Sequence, residues 1–201
     1  AISVGNGSDA LTLIMRALEI GPGDEVICPG NSFIATAWSI VAVGAKPIFC
    51  DVEEDFLVSV RHIQKLITSS TKALIAVHLT GKLCKMDELN EFCSKNKIYL
   101  IEDAAQSIGS TNHKSEKSGS FGIAAAFSLH PLKNLAVYGD GGVITSNNNS
   151  LAKRVELLRN HGLINRDECK IWGYNSRLDE IQAAYGLVKF KYIEKWTDRY
   201  I

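Results

Sequence analysis

The sequence predicts an α/β fold, with a mostly parallel, mixed sheet sandwiched between helices. Short runs such as Ala73-Leu74-Ile75-Ala76-Val77 and Ile98-Tyr99-Leu100-Ile101-Glu102 are strand-sized and apolar nearly throughout. Such runs suit strands covered on both faces. Between them lie stretches with apolar residues at helical spacing, the alternation that builds crossover connections in a parallel sheet.

The elements follow in order. Ile2-Ser3-Val4 feeds a glycine turn, Gly5-Asn6-Gly7-Ser8, and residues 9–18 carry Leu11, Ile14, Met15 and Leu18 on one helical stripe. Ser8 is the N-cap candidate. Gly21-Pro22-Gly23-Asp24 reads as a turn before a strand at 25–28. A helix over 32–43, a strand at 47–50 and a helix over 60–67 come next. The strand at 73–77, a helix over 86–94 and the strand at 98–102 complete the alternating part. After Asp103 the strands shorten to 124–127 and 142–145, and a helix over 150–161 places Leu151, Val155 and Leu158 on one face. One domain therefore spans 1–161. Residues 162–201 form a connecting segment and the start of a helix. The missing initiator Met and an ending inside that helix predict a fragment of a longer chain.

Composition narrows the function classes. The chain has 201 residues with 22 basic and 22 acidic side chains, a formal charge of zero, and 46% hydrophobic residues. At about 150 residues per domain this gives one domain and part of another. A pI near 7.1 leaves no basic excess for a nucleic-acid backbone. No apolar run approaches the ~20 residues of a membrane span. The opening Ala1-Ile2-Ser3-Val4-Gly5 lacks the basic start and apolar stretch of a signal peptide. Cys28, Cys50, Cys84, Cys93 and Cys169 are odd in number and have no Cys-x-x-Cys spacing, so neither a zinc ribbon nor a disulfide framework is indicated. Reduced thiols and a cytoplasmic location are the expectation.

Three features collect at the carboxyl ends of strands, where open parallel sheets bind ligands. Gly5-Asn6-Gly7-Ser8-Asp9 opens a helix, and its amides suit a phosphate, although a tight turn with a capping serine is also an ordinary structure. Asp103 directly follows an apolar strand, either to hold a cationic group or to cap a helix. Lys133 lies in Phe127-Ser128-Leu129-His130-Pro131-Leu132-Lys133-Asn134 ahead of Gly139-Asp140-Gly141-Gly142, a setting for a Schiff-base amine; most lysines, by contrast, are solvated. Phosphate donors, a carboxylate and a lysine together are what pyridoxal phosphate requires.

These stretches resemble the DegT/DnrJ/EryC1/StrS sugar aminotransferases, whose fold is that of aspartate aminotransferase (the large domain of fold type I). The resemblance also rests on Gly21-Pro22-Gly23-Asp24-Glu25-Val26, Ile101-Glu102-Asp103-Ala104-Ala105-Gln106, Arg159-Asn160-His161-Gly162 and Tyr174-Asn175-Ser176-Arg177-Leu178-Asp179-Glu180, all collinear over nearly the whole chain. It implies pyridoxal 5'-phosphate as cofactor. Lys133 would bond to its aldehyde and move the proton, and Asp103 would keep the ring nitrogen protonated. Gln106 would contact the ring or its hydroxyl, and Phe33 would stack on it; an ordinary core phenylalanine is the competing reading of that position. Ser8, the Asp9 backbone and Ser128 would hold the phosphate. Asn175 would reach the cofactor of a neighbouring subunit in a homodimer.

The activity implied is amino transfer from glutamate or glutamine to a keto sugar on a nucleotide diphosphate, serving surface polysaccharides or modified sugars. In a related dehydratase branch a histidine stands at the lysine position. Here Lys133 occupies it, and His130, three residues earlier, is a supporting residue or a packed one. His78 and His161 read as structural. Amino transfer competes with dehydration of the sugar on the same cofactor, and with a non-catalytic fragment in a structural or regulatory role. Thr80-Gly81-Lys82 departs from the aromatic-Gly-Gln found there in the family, which implies a different pocket lining.

Overall fold

A computed structural model of the chain describes residues 1–199. Seven strands form one sheet in the order β1-β7-β6-β5-β4-β2-β3. They are β1 (Ile2–Val4), β2 (Glu25–Pro29), β3 (Lys46–Cys50), β4 (Thr71–Val77), β5 (Tyr99–Asp103), β6 (Ala124–Ser128) and β7 (Gly142–Thr145). The pairs β3/β2, β2/β4, β4/β5 and β5/β6 are parallel, whereas β7 runs antiparallel to both β6 and β1. The sheet is thus the mixed, mostly parallel one the apolar runs predict.

The helices are α1 (Gly7–Ala17), α2 (Ile34–Ala42), α3 (Val60–Ile63), α4 (Met86–Asn96), α5 (Asn149–Arg159), α6 (Glu180–Phe190) and α7 (Ile193–Thr197). Strand side chains alternate between two cores. Ala73, Ile75, Val77 and Ile101 join Leu11, Ile14, Ile40 and Val155 from α1, α2 and α5 on one face. Leu74, Ala76 and Leu100 join Ile63, Leu89 and Cys93 from α3 and α4 on the other. Each fully buried aliphatic side chain contributes about 1.5–3 kcal/mol to holding these layers. None of the described helices is long and apolar enough to cross a membrane.

Several boundaries correct the sequence reading. Asn6, not Ser8, caps α1: its side chain accepts from the Asp9 amide at 2.7 Å, and Ser8 sits inside the first turn. The helix expected over 60–67 stops at Ile63. Leu66 then closes only a single turn onto the Ile63 carbonyl, because Leu66 and Ile67 pack onto the core as a turn. The 32–43 helix begins at Ile34, with Phe33 as its extended cap residue. No helix directly follows Asp103, so its reading as a helix cap falls away: Asp103 Oδ1 accepts from the Ala105 amide at 3.2 Å in a side-chain turn. The one helix expected after the connecting segment is two, α6 and α7, and α7 ends at Thr197 instead of running on through Arg199; residues 200–201 lie outside the described residues. All five cysteines are unpaired.

Candidate active site

A cavity of about 630 Å³ opens where Val77, Asp103 and Ser128 end β4, β5 and β6. The first turn of α1 forms one wall, Ser32–Thr36 another, and the β6–β7 loop with His130, Leu132 and Lys133 a third. The topology dictates this convergence, since every parallel strand here delivers its following loop to the same edge. Ser8, Asp9, Phe33, Asp103, Gln106, Ser128 and Lys133 all line it.

Asp103 is buried, 6% exposed. Burial pushes its carboxyl above the usual carboxylate range. The Thr36 hydroxyl, the Ala105 amide and the charge of Lys133 pull the other way without prevailing. Thr36 Oγ1 donates to Asp103 Oδ2 at 2.7 Å and shares its hydroxyl network with Ser32 at 2.7 Å. Behind the strand, His78 and Glu102 are fully buried and meet at 3.0 Å. The Cys84 amide donates to His78 Nδ1 at 3.3 Å, so the ring donates from Nε2 to Glu102. The structural reading of His78 holds.

At the head of α1 the Asp9 amide is taken by Asn6 and the Ala10 amide by the Asn6 carbonyl, leaving those of Gly7 and Ser8 pointing out of the helix. Asp9 accepts a hydrogen bond from Ser176 Oγ at 2.6 Å, and Ser176 in turn accepts from the Gly5 amide at 2.9 Å. The Gly7 Cα lies so close to Ser128 that a Cβ there would stand 2.9 Å from the Ser128 Cβ. Gln106 accepts at Oε1 from the Thr80 amide at 2.9 Å. Phe33 is 71% exposed at the mouth, which rejects its reading as a core residue. His130 accepts at Nδ1 from the Leu132 amide at 3.2 Å, and its carbonyl accepts from the Lys133 amide at 2.8 Å, so it braces the lysine turn.

Asn175 does not reach this cavity; it is exposed and bridges to Asn160 in the segment beside Ser176. The sequence reading missed Asn6, Thr36, Trp38 and Ser176. Nothing local to Thr36 signals its role, since its partner Asp103 lies 67 residues on.

The chain matches the DegT/DnrJ/EryC1/StrS aminotransferase family over residues 1–200 and belongs to it. It is 45% identical over 199 residues to the dTDP-3-amino-3,6-dideoxy-α-D-galactopyranose transaminase of Aneurinibacillus thermoaerophilus, covering 98% of this chain and 54% of that protein. Among solved structures it is similar to DesV of S. venezuelae in complex with a ketimine intermediate, with a TM-score of 0.95, 39% identity, and coverage of 98% of this chain and 53% of the other. NtdA from Bacillus subtilis, solved with the cofactor PMP, gives a TM-score of 0.89 at 36% identity, over 96% of this chain and 44% of its own. The fold is therefore the large-domain sheet of fold type I. The chain spans about half the length of the relatives it matches.

Proposed function

We propose that residues 1–161 form the cofactor-binding large domain of a pyridoxal-phosphate-dependent aminotransferase acting on a keto sugar carried by a nucleotide diphosphate. Residues 162–201 would lead to a smaller second domain. The observation that carries this reading is the meeting of Lys133, Asp103 and the open end of α1 on one cavity.

The residues fit the cofactor on their own chemistry. Asp103 is a desolvated carboxylate with a hydroxyl and an amide as its hydrogen-bond donors and, among the described residues, no cation bonded to it, the partner a protonated ring nitrogen needs. The amides of Gly7 and Ser8, with the Ser8 and Ser128 hydroxyls, make an anion cradle at a helix start. When bound, pyridoxal phosphate supplies a ring that accepts the electron pair left on the substrate carbon. Asp103, steadied by the Thr36 hydroxyl, would keep the ring nitrogen protonated. Phe33, at the cavity mouth, would offer an aromatic face to the ring. Gln106, fixed by the Thr80 amide, offers its Nε2 as a donor. Lys133, whose amine lines the cavity, would hold the cofactor at its Nζ and would supply the group that moves a proton there.

Glutamate or glutamine is the proposed amino donor. Surface polysaccharide or modified-sugar synthesis is the proposed use, and the cytoplasm the proposed site of action. Asn175, exposed and outside its own cavity, suits a homodimer in which it reaches the partner's cofactor. The test is the visible absorbance of the protein with pyridoxal phosphate, before and after glutamate, beside Lys133→Ala. A band that needs Lys133 and is bleached by glutamate supports amino transfer; a Lys133-dependent band that glutamate leaves unchanged counts against it.

A further inference from the structure

The loop that carries Lys133 is not held by the sheet alone. Its base closes where the Leu129 amide donates to the Gly141 carbonyl at 2.8 Å and the Val137 amide to the Leu129 carbonyl at 2.9 Å. Leu129, Leu135 and Val137 are buried with Ile193 of α7, and Tyr185 of α6 packs on the same cluster. On either side of the buried stretch Leu135–Val137 the loop stands out: Leu132 is 88% and Tyr138 78% exposed.

Two side chains of α6 grip the loop at Tyr138. Gln182, on the first turn of α6, accepts at Oε1 from the Tyr138 amide at 2.8 Å. The Tyr138 ring stacks on Tyr185, with centroids 4.0 Å apart. The other end of the Gln182 amide faces Gly139, where a Cβ would stand 2.8 Å from Nε2. Gly186 lets the helix approach in the same way, since a Cβ there would meet Val137 Cγ1 at 3.3 Å. The glutamine amide thus accepts from the loop at Oε1 and lies close against it at Nε2. Loops with little burial open easily, and a reacting amine must be held to within about 0.5 Å.

We propose that Gln182 is a positioning residue for Lys133, tying the β6–β7 loop to α6 so that the lysine stays on the cavity wall. This rests on the reading of Lys133 as the amine that bonds the cofactor. Gln182→Leu removes the acceptor while keeping size and helix propensity, and Gln182→Glu keeps an acceptor oxygen.

The wild type and both variants are titrated with pyridoxal phosphate by visible absorbance over a range of pH, with amide exchange at Tyr138 and thermal unfolding followed in parallel. In Gln182→Leu the expected result is faster exchange at Tyr138, a moved pH midpoint of the Lys133-dependent band, and affinity about tenfold weaker, as for one lost hydrogen bond. Gln182→Glu is expected to stay within about twofold of wild type. Wild-type affinity and pH midpoint in Gln182→Leu overturn the proposal.

If the wild type itself gives no Lys133-dependent band, the cofactor reading fails, and the tether is decided by the rate at which acetic anhydride labels Lys133. Faster labelling in Gln182→Leu sustains it and an unchanged rate overturns it. Should Gln182→Leu fail to fold, Gln182→Met, which likewise lacks the acceptor oxygen, is read by the same outcomes.

Discussion

Glu102 and Asp103 are consecutive on β5, face opposite sides of the sheet, and are driven in opposite directions by their surroundings. Both are buried. Burial raises Glu102 too, but His78 and the amides of Gly122 and Gly119 outweigh it and hold its carboxyl below the usual range. Asp103 has fewer donors and stays raised. One strand end therefore carries a heavily bonded structural carboxylate beside a more sparsely bonded one that faces the cavity.

Asp103→Asn is expected to stabilise the cofactor-free protein near neutral pH. A carboxyl raised on folding makes the native state bind more protons than the unfolded chain, so its contribution to stability falls as pH rises from the unfolded value through the folded one. Removing the charge removes that penalty, and a gain of about 1 kcal/mol moves the unfolding midpoint by roughly 2–4 °C in a chain of this size. The gain should vanish in acid, where wild-type Asp103 is protonated in both states. Thermal unfolding against pH checks this, and an equal gain at every pH would sink the electrostatic explanation. Cofactor affinity should fall in the same variant.

Glu102 gives the opposite sign. Its carboxylate accepts from His78, from the amides of Gly119 and Phe121 at 2.8 Å each, and from that of Gly122 at 2.7 Å. A depressed carboxyl contributes stability that is present above the unfolded value and lost as pH falls through the folded one. Glu102→Ala leaves these donors buried without their acceptor and is expected to cost about 3–5 kcal/mol. Glu102→Gln should cost less and flatten the acid limb of the stability curve. Urea unfolding at neutral and acid pH measures both, and an acid limb unchanged in Glu102→Gln contradicts the assignment.

The contrast between these two residues marks how far the sequence could be read. Asp103 and Lys133 were legible because strand ends in a parallel sheet meet at one edge, so order along the chain predicts convergence. The Asn6 cap was not, since Gly5-Asn6-Gly7-Ser8 offers two good capping residues and only the backbone path chooses between them. The shortened α3 escaped for a similar reason: Leu66 and Ile67 satisfy helical spacing yet reach the core as a turn. Thr36, Ser176 and Gln182 act on partners 67, 167 and 44 residues away, and no local pattern carries that information.

Gly7 tests the phosphate cradle. Alanine is favoured over glycine inside a helix by about 1 kcal/mol, so helix propensity alone would make Gly7→Ala stabilising. The contact opposes it, because the new methyl would lie 2.9 Å from Ser128 Cβ and 3.3 Å from Ser128 Cα. Relief must come from parting the α1 turn and the end of β6, which spreads the Gly7 and Ser8 amides away from the Ser128 hydroxyl. Cofactor affinity is then expected to drop by about tenfold or more, the loss of at least one charge-assisted hydrogen bond. Pyridoxal, which lacks the phosphate, isolates the effect: its weaker binding should hardly change, so the preference for the phosphorylated form narrows. Gly30→Ala serves as the control, since the nearest atom to a Cβ there is 4.0 Å away. A Gly7→Ala protein that weakens pyridoxal and pyridoxal phosphate equally would place the phosphate elsewhere in the cavity.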